Sequence, residues 1–299
     1  MVVMRKVGLI DLDTSHAEAF ASVLDGADAA EVTAVRDGGR VRDEEYLQEF
    51  CDTYGATPVE SPDGMVGDVD AVMVLTVDWD SHCELALPYL EADVPTLVDK
   101  PLAGSLQDIE ILEDAADGTP FFGGSAVPFH PSLASFERGE AGRALYCAGY
   151  DDTFYYGCHL VDTVRRLAGT DWSVVRPASD PGLTVDIVFE NDTHATVRLD
   201  GANGSRNFTF LNVGDESETA VIGNSDDDRH TMYAEYLDTF LETIAGESDE
   251  SDRVFDGAKL LLGVHTAIAE HRPVTAESDT LAETHIQGDS FVESYEPYY

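Results

Sequence analysis

The sequence contains very little lysine and few basic residues of any kind. Only 17 of its 299 residues are Lys or Arg, against 59 Asp or Glu, and the formal net charge is −42. The lysines are Lys6, Lys100 and Lys259. Nucleic-acid backbones and anionic lipid surfaces are bound through clusters of basic side chains. The sequence therefore predicts neither a nucleic-acid partner nor a membrane partner.

Cysteines and long apolar segments are also scarce. The four cysteines, Cys51, Cys83, Cys147 and Cys158, show neither CxxC spacing nor the density of a disulfide framework. We expect them to be buried thiols in a reducing compartment. No apolar run approaches the roughly 18 residues that a membrane span needs, and the apolar N-terminal stretch is too short for a signal peptide. These absences predict a cytoplasmic protein.

The acidic residues that are present are spread along the whole chain. Residues 1–150 carry 29 acidic and 8 basic side chains, and residues 151–299 carry 30 and 9. A tail would concentrate the charge, so the excess belongs to the whole surface. With 43% hydrophobic residues, the chain can build a core and is not a disordered acidic polymer. We interpret the surface as halophilic, an adaptation to high salt that screens repulsion between carboxylates. A partner of basic proteins is the alternative.

The first 125 residues alternate short apolar runs with helical patterns. The predicted strands are Val7–Ile10, Glu31–Val35, Ala71–Leu75 and Thr96–Val98. Helices are predicted from Ser15, at about 43–54, from Ser81 and from Ser105, and Ser15/Glu18 and Ser81/Glu84 have capping-box spacing. Alternation of strands and helices predicts a Rossmann-type, doubly wound parallel sheet over residues 1–124.

The pattern changes from about residue 126. Val185, Ile187 and Phe189 alternate with polar residues, as do Ala195, Val197 and Leu199 after a turn at Asn191-Asp192, which predicts a β-hairpin. Helices are predicted at about 231–245 and over Arg253–His271, with a solvated acidic loop at 246–252 and an irregular tail after about 273. The fold class is therefore α/β. A C-terminal α+β domain with a largely antiparallel open sheet, residues 125–299, follows the Rossmann-type domain.

The turn after the first strand lacks the glycines of a dinucleotide fingerprint. Glycines at positions 11, 13 and 16 would let the backbone approach a pyrophosphate, which a helix N-terminus then holds. This chain has Asp11, Asp13 and His16 there. Three arrangements are open. The Asp side chains cap the turn and leave backbone N–H groups free, or Ser15 and His16 contact the phosphates, or dinucleotide binding has been lost.

Three segments resemble motifs of the Gfo/Idh/MocA family of nicotinamide-dependent oxidoreductases. Asp99-Lys-Pro-Leu-Ala103 resembles the family's Glu-Lys-Pro motif, and Thr76 to His82 resembles its Thr-Pro-Asn-x-x-His segment. Gly157-Cys-His-Leu-Val-Asp162, followed by Leu167-Ala-Gly169, resembles its second-domain signature. The three occur in the family's order, and the resemblance covers most of the chain. It implies an NAD(P)-dependent dehydrogenase or reductase that acts on CH–OH groups of a sugar, cyclitol or related polyol, as a homo-oligomer (dimer or tetramer).

Lys100 is the first catalytic candidate. An ammonium at a strand end can hydrogen-bond a substrate hydroxyl, and burial lowers a lysine pKa towards values that suit proton transfer. By the resemblance, His159 contacts the substrate hydroxyl and relays its proton. The family's Asp four residues earlier is replaced by Tyr155, which can donate a hydrogen bond but is a poor base at neutral pH. The structural alternatives are a surface lysine and, for His159 with Asp162, a capping pair on one helix face.

Asp37 is the candidate for binding the adenosine ribose, because it lies 21 residues after His16. This slightly favours NAD, while Arg36 and Arg40 keep NADP open. The other cofactor-binding candidates are Asp13, Thr14, Ser15, His16, Thr76, His82, Lys100 and Pro101, and the substrate candidates are His130, Tyr156 and Asp162. No HxH, HExxH or CxxC spacing supports a metal site.

Two other classes of function remain open from the sequence. The non-glycine turn and Tyr155 favour a related fold with altered chemistry, such as a lyase or hydrolase. A non-catalytic ligand-binding protein that has lost dinucleotide binding is the third possibility, which the combination of Lys100, His159 and Asp162 disfavours.

Overall fold

The first β-sheet consists of six parallel strands in the order β3-β2-β1-β4-β5-β6. The computed structural model describes residues 4–27, 29–179, 182–201 and 206–297. The strands are β1 (Arg5–Ile10), β2 (Ala30–Arg36), β3 (Thr57–Pro58), β4 (Ala71–Val74), β5 (Thr96–Val98) and β6 (Phe121–Gly123). This is the order of a dinucleotide-binding fold. The predicted doubly wound parallel sheet is confirmed, with β3 and β6 as short strands that the sequence pattern did not reveal.

Four helices flank this sheet: α1 (Ser15–Asp25), α2 (Glu44–Tyr54), α3 (His82–Leu90) and α4 (Leu106–Ala115). The two predicted capping boxes are wrong. Thr14 caps α1 through its Oγ1, which accepts the N–H of His16, because Ser15 is already helical. The hydroxyl of Ser81 donates to the carbonyl of Asp78 and does not cap α3.

The second sheet has seven strands in the order β12-β11-β7-β10-β9-β8-β13. They are β7 (Ala144–Ala148), β8 (Trp172–Pro177), β9 (Thr184–Phe189), β10 (His194–Arg198), β11 (Phe208–Val213), β12 (Ser217–Ile222) and β13 (Val274–Thr275). Only the β7–β10 pair is parallel among these neighbours. The largely antiparallel sheet and the β9–β10 hairpin are confirmed.

The second half contributes α5 (Gly157–Ala168), α6 (Asp226–Ile244), α7 (Ser251–Glu270) and the short α8 (Asp289–Val292). Helix α6 begins five residues earlier than predicted because Ser225 caps it by accepting the N–H of Asp228. Both α6 and α7 pack on β6: the rings of Phe122 and Tyr236 lie 4.7 Å apart, and so do those of Phe121 and Phe255. The edge of the first sheet is thus covered by helices from the second half.

The C-terminal segment is more ordered than the predicted irregular tail. Trp79 Nε1, in the loop after β4, donates to the carbonyl of Ile286 at 2.7 Å. The ring of Phe291 stacks on that of Tyr155 at 4.5 Å. The segment therefore covers the loop after β4 and part of the second half. All four cysteines are buried free thiols, as predicted. No helix among the described residues is long and apolar enough to cross a membrane.

Candidate active site

The turn after β1 accommodates Asp11 in a left-handed conformation. Its φ is 65°, a value that Asp adopts more readily than most residues. Its Oδ1 accepts the N–H of Gly38 at 2.8 Å and pairs with Arg36 Nη1 at 2.6 Å. Burial, followed by the charge of Asp13, raises the pKa of Asp11 to about 6. The carboxylate therefore ties the turn to the end of β2.

Asp13 turns towards the neighbouring strand on the other side. Its Oδ2 accepts hydrogen bonds from Thr76 Oγ1 at 2.9 Å and from the N–H of Val77 at 3.0 Å. Burial raises the pKa of Asp13. The N–H groups of Thr14 and Ser15 donate no hydrogen bond within the described ranges. The geometry is thus the first of the three arrangements above: the carboxylates bind neighbouring loops, and N–H groups at the start of α1 remain available for an anion.

His16 lies at the base of this turn and pairs with Asp99. Its Nδ1 is 2.7 Å from Asp99 Oδ2, and the other Asp99 oxygen accepts the N–H of Lys100 at 2.7 Å. Burial alone would raise the pKa of Asp99, but the charges and hydrogen bonds of His16 and Lys100 outweigh it and lower that pKa. The imidazole stacks on Phe20 at 5.0 Å. His16 Nδ1 therefore binds Asp99 and is not available to a phosphate group.

Lys100 follows β5 and is only 4% exposed. Its Nζ lies 3.1 Å from the centroid of the Tyr155 ring, a cation–π contact. The Nζ atom makes no hydrogen bond among the described residues. Burial lowers the pKa of Lys100, and the neighbouring Cys158, Asp99 and Asp152 oppose this shift only in part. The peptide bond to Pro101 is cis. The side chain is therefore a buried amine with unused hydrogen-bonding capacity.

His159 projects from the first turn of α5 towards the same region. Its Nδ1 lies 2.6 Å from Ser125 Oγ, which also accepts the N–H of Val127 at 3.0 Å. Burial, with the charges of Lys100 and His16, lowers the pKa of His159 well below 6.5. The imidazole is therefore neutral at physiological pH, and it can orient a hydroxyl more readily than it can hold a proton.

Asp162 lies one turn further along α5. Its Oδ2 accepts the N–H of Ser125 at 2.7 Å, and its Oδ1 pairs with Arg253. Arg253 also pairs with Glu250, so the predicted solvated loop at 246–252 is wrong at that residue. Burial alone would lower the pKa of Arg253, but the two carboxylates outweigh it and raise that pKa. Asp162 thus holds the Ser125 segment and α7 in place.

Two of the predicted histidines do not reach this region. His82 is fully buried, and its ring nitrogens face the carbonyls of Leu102 at 2.9 Å and Thr76 at 3.0 Å. Both ring nitrogens of His82 therefore bind carbonyl groups in the loops of the first half, and neither is available to a ribose. His130 accepts the N–H of Ser132 at 3.1 Å, and its Nε2 lies 3.6 Å from Asp228. It therefore sits at the start of α6.

The loops after β2 and β4 are joined by polar contacts. Asp37 accepts the N–H groups of Leu12 at 3.0 Å and Gly39 at 2.6 Å. Arg40 pairs with Asp78 across the gap between the two loops. Both oxygens of Asp37 therefore already bind backbone, although each retains a second lone pair for a ribose hydroxyl.

One small cavity, of about 60 Å³, brings the candidates together. It is lined by Thr14, Ser15, His16, Lys100, Ala126, Val127, Tyr155, Tyr156, His159, Phe208, Ile222, Gly223, Asn224, Arg229, Met232 and Tyr233. The sequence motifs did not indicate Arg229, Asn224 or Tyr233, since only the packing of α6 on α1 brings them there. Among the described residues, no group of three or more His, Cys, Asp or Glu could hold a metal ion.

The model of a family described as "Oxidoreductase family, NAD-binding Rossmann fold" matches residues 6–120. No curated protein matches the chain in sequence.

Several solved structures share the fold. The scyllo-inositol dehydrogenase of Lactobacillus casei with bound NAD(H) and scyllo-inositol has a TM-score of 0.75 and 16% identity, over 92% of this chain and 100% of that one. Myo-inositol 2-dehydrogenase of Lactobacillus plantarum has a TM-score of 0.73 and 13% identity, over 91% and 99%. GenD2 of gentamicin A biosynthesis, in complex with NAD, has a TM-score of 0.74 and 17% identity, over 93% and 98%. At these identities the likeness establishes the fold alone.

Proposed function

We propose that this chain, whose residues 6–120 match the model of the NAD-binding oxidoreductase family, is a Gfo/Idh/MocA oxidoreductase that moves a hydride between a nicotinamide cofactor and the carbinol carbon of a sugar, cyclitol or related polyol. The observation that carries the proposal is the buried side-chain amine of Lys100, which has no hydrogen-bond acceptor in the described part of the chain and shares a cavity with His159 and the start of α1. A structural neighbour, the Lactobacillus casei dehydrogenase, holds NAD(H) and scyllo-inositol.

Proton transfer in this proposal belongs to Lys100. In the direction of oxidation, the carbinol carbon loses a hydride to the nicotinamide, and the hydroxyl loses its proton to the neutral amine of Lys100. Burial favours that neutral amine because it lowers the lysine pKa. His159, held by Ser125, orients the hydroxyl. The face of Tyr155 stabilises the ammonium that forms.

In this proposal, NAD is favoured over NADP as the cofactor. The free N–H groups of Thr14 and Ser15 fit a pyrophosphate at the start of α1. Asp37 fits a ribose hydroxyl. Arg36 and Arg40, the two cations that could bind a 2′-phosphate, pair with carboxylates instead. The cavity of about 60 Å³ is far smaller than the roughly 300 Å³ of an ordinary ligand site, so binding of cofactor and substrate together requires the residues that line it to move apart.

The two halves of the chain have separate roles in this proposal. Residues 1–124 bind the dinucleotide, and residues 125–299 bind the substrate and mediate self-association. The strand register places Tyr146, Val213 and Val221 on one face of the second sheet. These are exposed large hydrophobic side chains, at 48%, 38% and 58%. Val221→Asp should lower the mass measured by light scattering from that of a dimer or tetramer, and a monomeric parent protein would contradict this part.

A second function is favoured by one observation, the His16–Asp99 pair in place of a fingerprint glycine. An imidazole oriented by a buried carboxylate is suited to general acid–base catalysis. A lyase that retains the fold could use it without net hydride transfer.

Nucleotide titration distinguishes these functions. NADH and NADPH are added to the protein in multimolar KCl, nicotinamide fluorescence is followed, and turnover is then measured on a panel of polyols. We expect NADH to bind, and Lys100→Ala to bind NADH but lose turnover, whereas Lys259→Ala retains both. Failure of both nucleotides to bind would contradict the proposed oxidoreductase function. Binding without turnover on any polyol would favour the lyase.

A further inference from the structure

The charge of the small cavity is opposite to that of the rest of the molecule. About one residue in five of the chain is Asp or Glu, yet none of the residues that line this cavity is acidic. Lys100 and Arg229 line it instead, together with His16 and His159. The charged side chains that line this cavity are therefore basic, whereas the chain as a whole has a net charge of −42.

Two larger clefts elsewhere follow the acidic composition. A cleft of about 720 Å³ has Glu113, Asp114, Asp117, Asp249 and Asp252 in its walls. A second, of about 980 Å³, is lined by Asp151, Asp152, Asp200 and Glu296 among others. Unlike these two clefts, the cavity of about 60 Å³ has no carboxylate in its lining.

The cationic groups of the cavity retain the capacity to bind an anion. Lys100 is only 4% exposed, and its Nζ makes no hydrogen bond within the described ranges. Arg229 pairs with Asp226, but that carboxylate is 94% exposed, so solvent screens the pair. Asp99 lies behind the wall, where it binds His16 and the backbone of Lys100. Its carboxylate does not face the cavity.

We propose that the substrate of this site carries an anionic oxygen group, a carboxylate beside its hydroxyls, which Lys100 and Arg229 bind. This inference rests on the proposed function and names its substrate class as hydroxylated acids in place of neutral polyols. The guanidinium of Arg229 provides charge-assisted hydrogen bonds to a carboxylate, and the neutral amine of Lys100 donates N–H bonds to it while its lone pair remains available for the hydroxyl proton. The cavity's small volume admits only a short acid without movement of α6. The N–H groups of Thr14 and Ser15 remain for the cofactor.

The test compares DL-glycerate with glycerol, which differ in one carboxylate. Binding of each is measured by titration calorimetry in multimolar KCl, where chloride competes for the cations with glycerate and not with neutral glycerol, so the measured preference is a lower limit. We expect glycerate to bind about tenfold or more tightly than glycerol, the gain typical of a charge-assisted hydrogen bond. Equal affinities, or a preference for glycerol, would overturn the proposal.

Three variants identify the groups responsible. Lys100→Met should abolish the preference for glycerate, and Arg229→Gln, at the half-exposed rim, should reduce it. Lys259→Met removes a lysine whose partner is the surface residue Glu113, and it should retain the preference. If Lys100→Met does not fold, the Arg229→Gln result decides: an unchanged preference in that variant contradicts the proposal.

A second arm separates a substrate carboxylate from the cofactor's phosphates, which have the same charge. Glycerate is titrated with and without saturating ADP-ribose. Simultaneous binding supports a separate carboxylate site, whereas competition would assign the cations to the cofactor and overturn the inference. NADH binding is recorded in the same samples. If glycerate is preferred but NADH does not bind, the proposed function fails and the anion site stands. If NADH binds but glycerate is not preferred, the anion site fails and the proposed function stands.

Discussion

The Nδ1 atom of His16 lies 2.7 Å from Oδ2 of Asp99, and this buried pair joins the first turn of α1 to the end of β5. The second oxygen of Asp99 accepts the N–H of Lys100. One carboxylate therefore positions both the imidazole and the backbone of the buried lysine.

Replacing Asp99 by Asn should lower the free energy of unfolding by about 1–3 kcal/mol, because a buried charge-assisted hydrogen bond becomes a weaker one. The pKa of Asp99 is lowered in the folded protein. Its contribution is therefore complete above its ordinary value of 3.8 and is lost as the pH falls through the lowered value. Urea unfolding at pH 7 and in acid measures this. The exposed Asp114→Asn is the control, and an equally small loss in both variants would contradict the prediction.

Lys100→Met should increase stability while it removes activity. Burial lowers the pKa of Lys100, so the charged form opposes folding at neutral pH. The gain should therefore shrink as the pH rises through the folded pKa and disappear above the unfolded value. Turnover should fall by about 10²–10⁴, the usual contribution of a general acid or base. Thermal unfolding and initial rates are compared with Lys259→Met, and a destabilised but active Lys100→Met would refute the assignment.

Asp11 should destabilise the protein as the pH rises. Its pKa is about 6 when folded against 3.8 ordinarily, so the folded state binds the proton more tightly and stability falls between these values. At about 1.4 kcal/mol per pKa unit, the wild type should lose about 3 kcal/mol relative to Asp11→Asn across this window. Asn tolerates the φ of 65°. Asp192→Asn, at an exposed position with φ 62°, is the control for the backbone effect of Asn, and parallel pH curves for Asp11→Asn and the wild type would exclude the shift.

Gly104→Ala should displace the C-terminal segment. A Cβ at Gly104 would lie 2.0 Å from the carbonyl oxygen of Ile286 and 2.8 Å from Trp79 Nε1. We expect a loss of about 1–3 kcal/mol of stability and a red shift of Trp79 emission, measured in a Trp172→Phe background. Gly26→Ala, whose nearest atom would be 3.5 Å away, is the control. An unshifted emission spectrum would show that the segment accommodates the methyl group.

The melting temperature should rise continuously with KCl concentration, if the acidic surface is a halophilic adaptation. Salt screens the repulsion among 59 acidic side chains. Calorimetry from dilute buffer to multimolar KCl measures the rise, with sucrose at matched osmolality as the control for water activity. A melting temperature that is independent of salt would leave the surface charge without this explanation.

The sequence predicted the first sheet better than the second. Buried parallel strands such as β4 are apolar on both faces, so they can be recognised from the local sequence alone. The strands β7 and β8 were missed, because β7 is a five-residue run of mostly apolar residues without polar alternation, and the buried positions of β8 do not alternate with a period of two. The Ser81 capping box was wrong because the serine hydroxyl has a competing acceptor in the carbonyl of Asp78.

Among candidate site residues, Lys100 could be singled out from the sequence because lysine is so rare in this chain. Arg229 and Arg253 could not, since they come from α6 and α7, far along the chain from the motifs. His82 carried a motif signal but makes only internal contacts, which depend on the carbonyls of Leu102 and Thr76.

The sequence by itself determined the alternation of the main strands and helices in the first half of the chain, the position of Lys100 at a strand end and the acidic composition, because periodicity and composition are local properties of the chain. Only the tertiary structure decided that His16 pairs with Asp99, that Asp11 and Asp13 turn away from the start of α1, and that the central cavity excludes every carboxylate among the residues described as lining it. These are contacts between distant segments. In a chain where acidic residues are common, their individual partners are set by packing instead of by sequence.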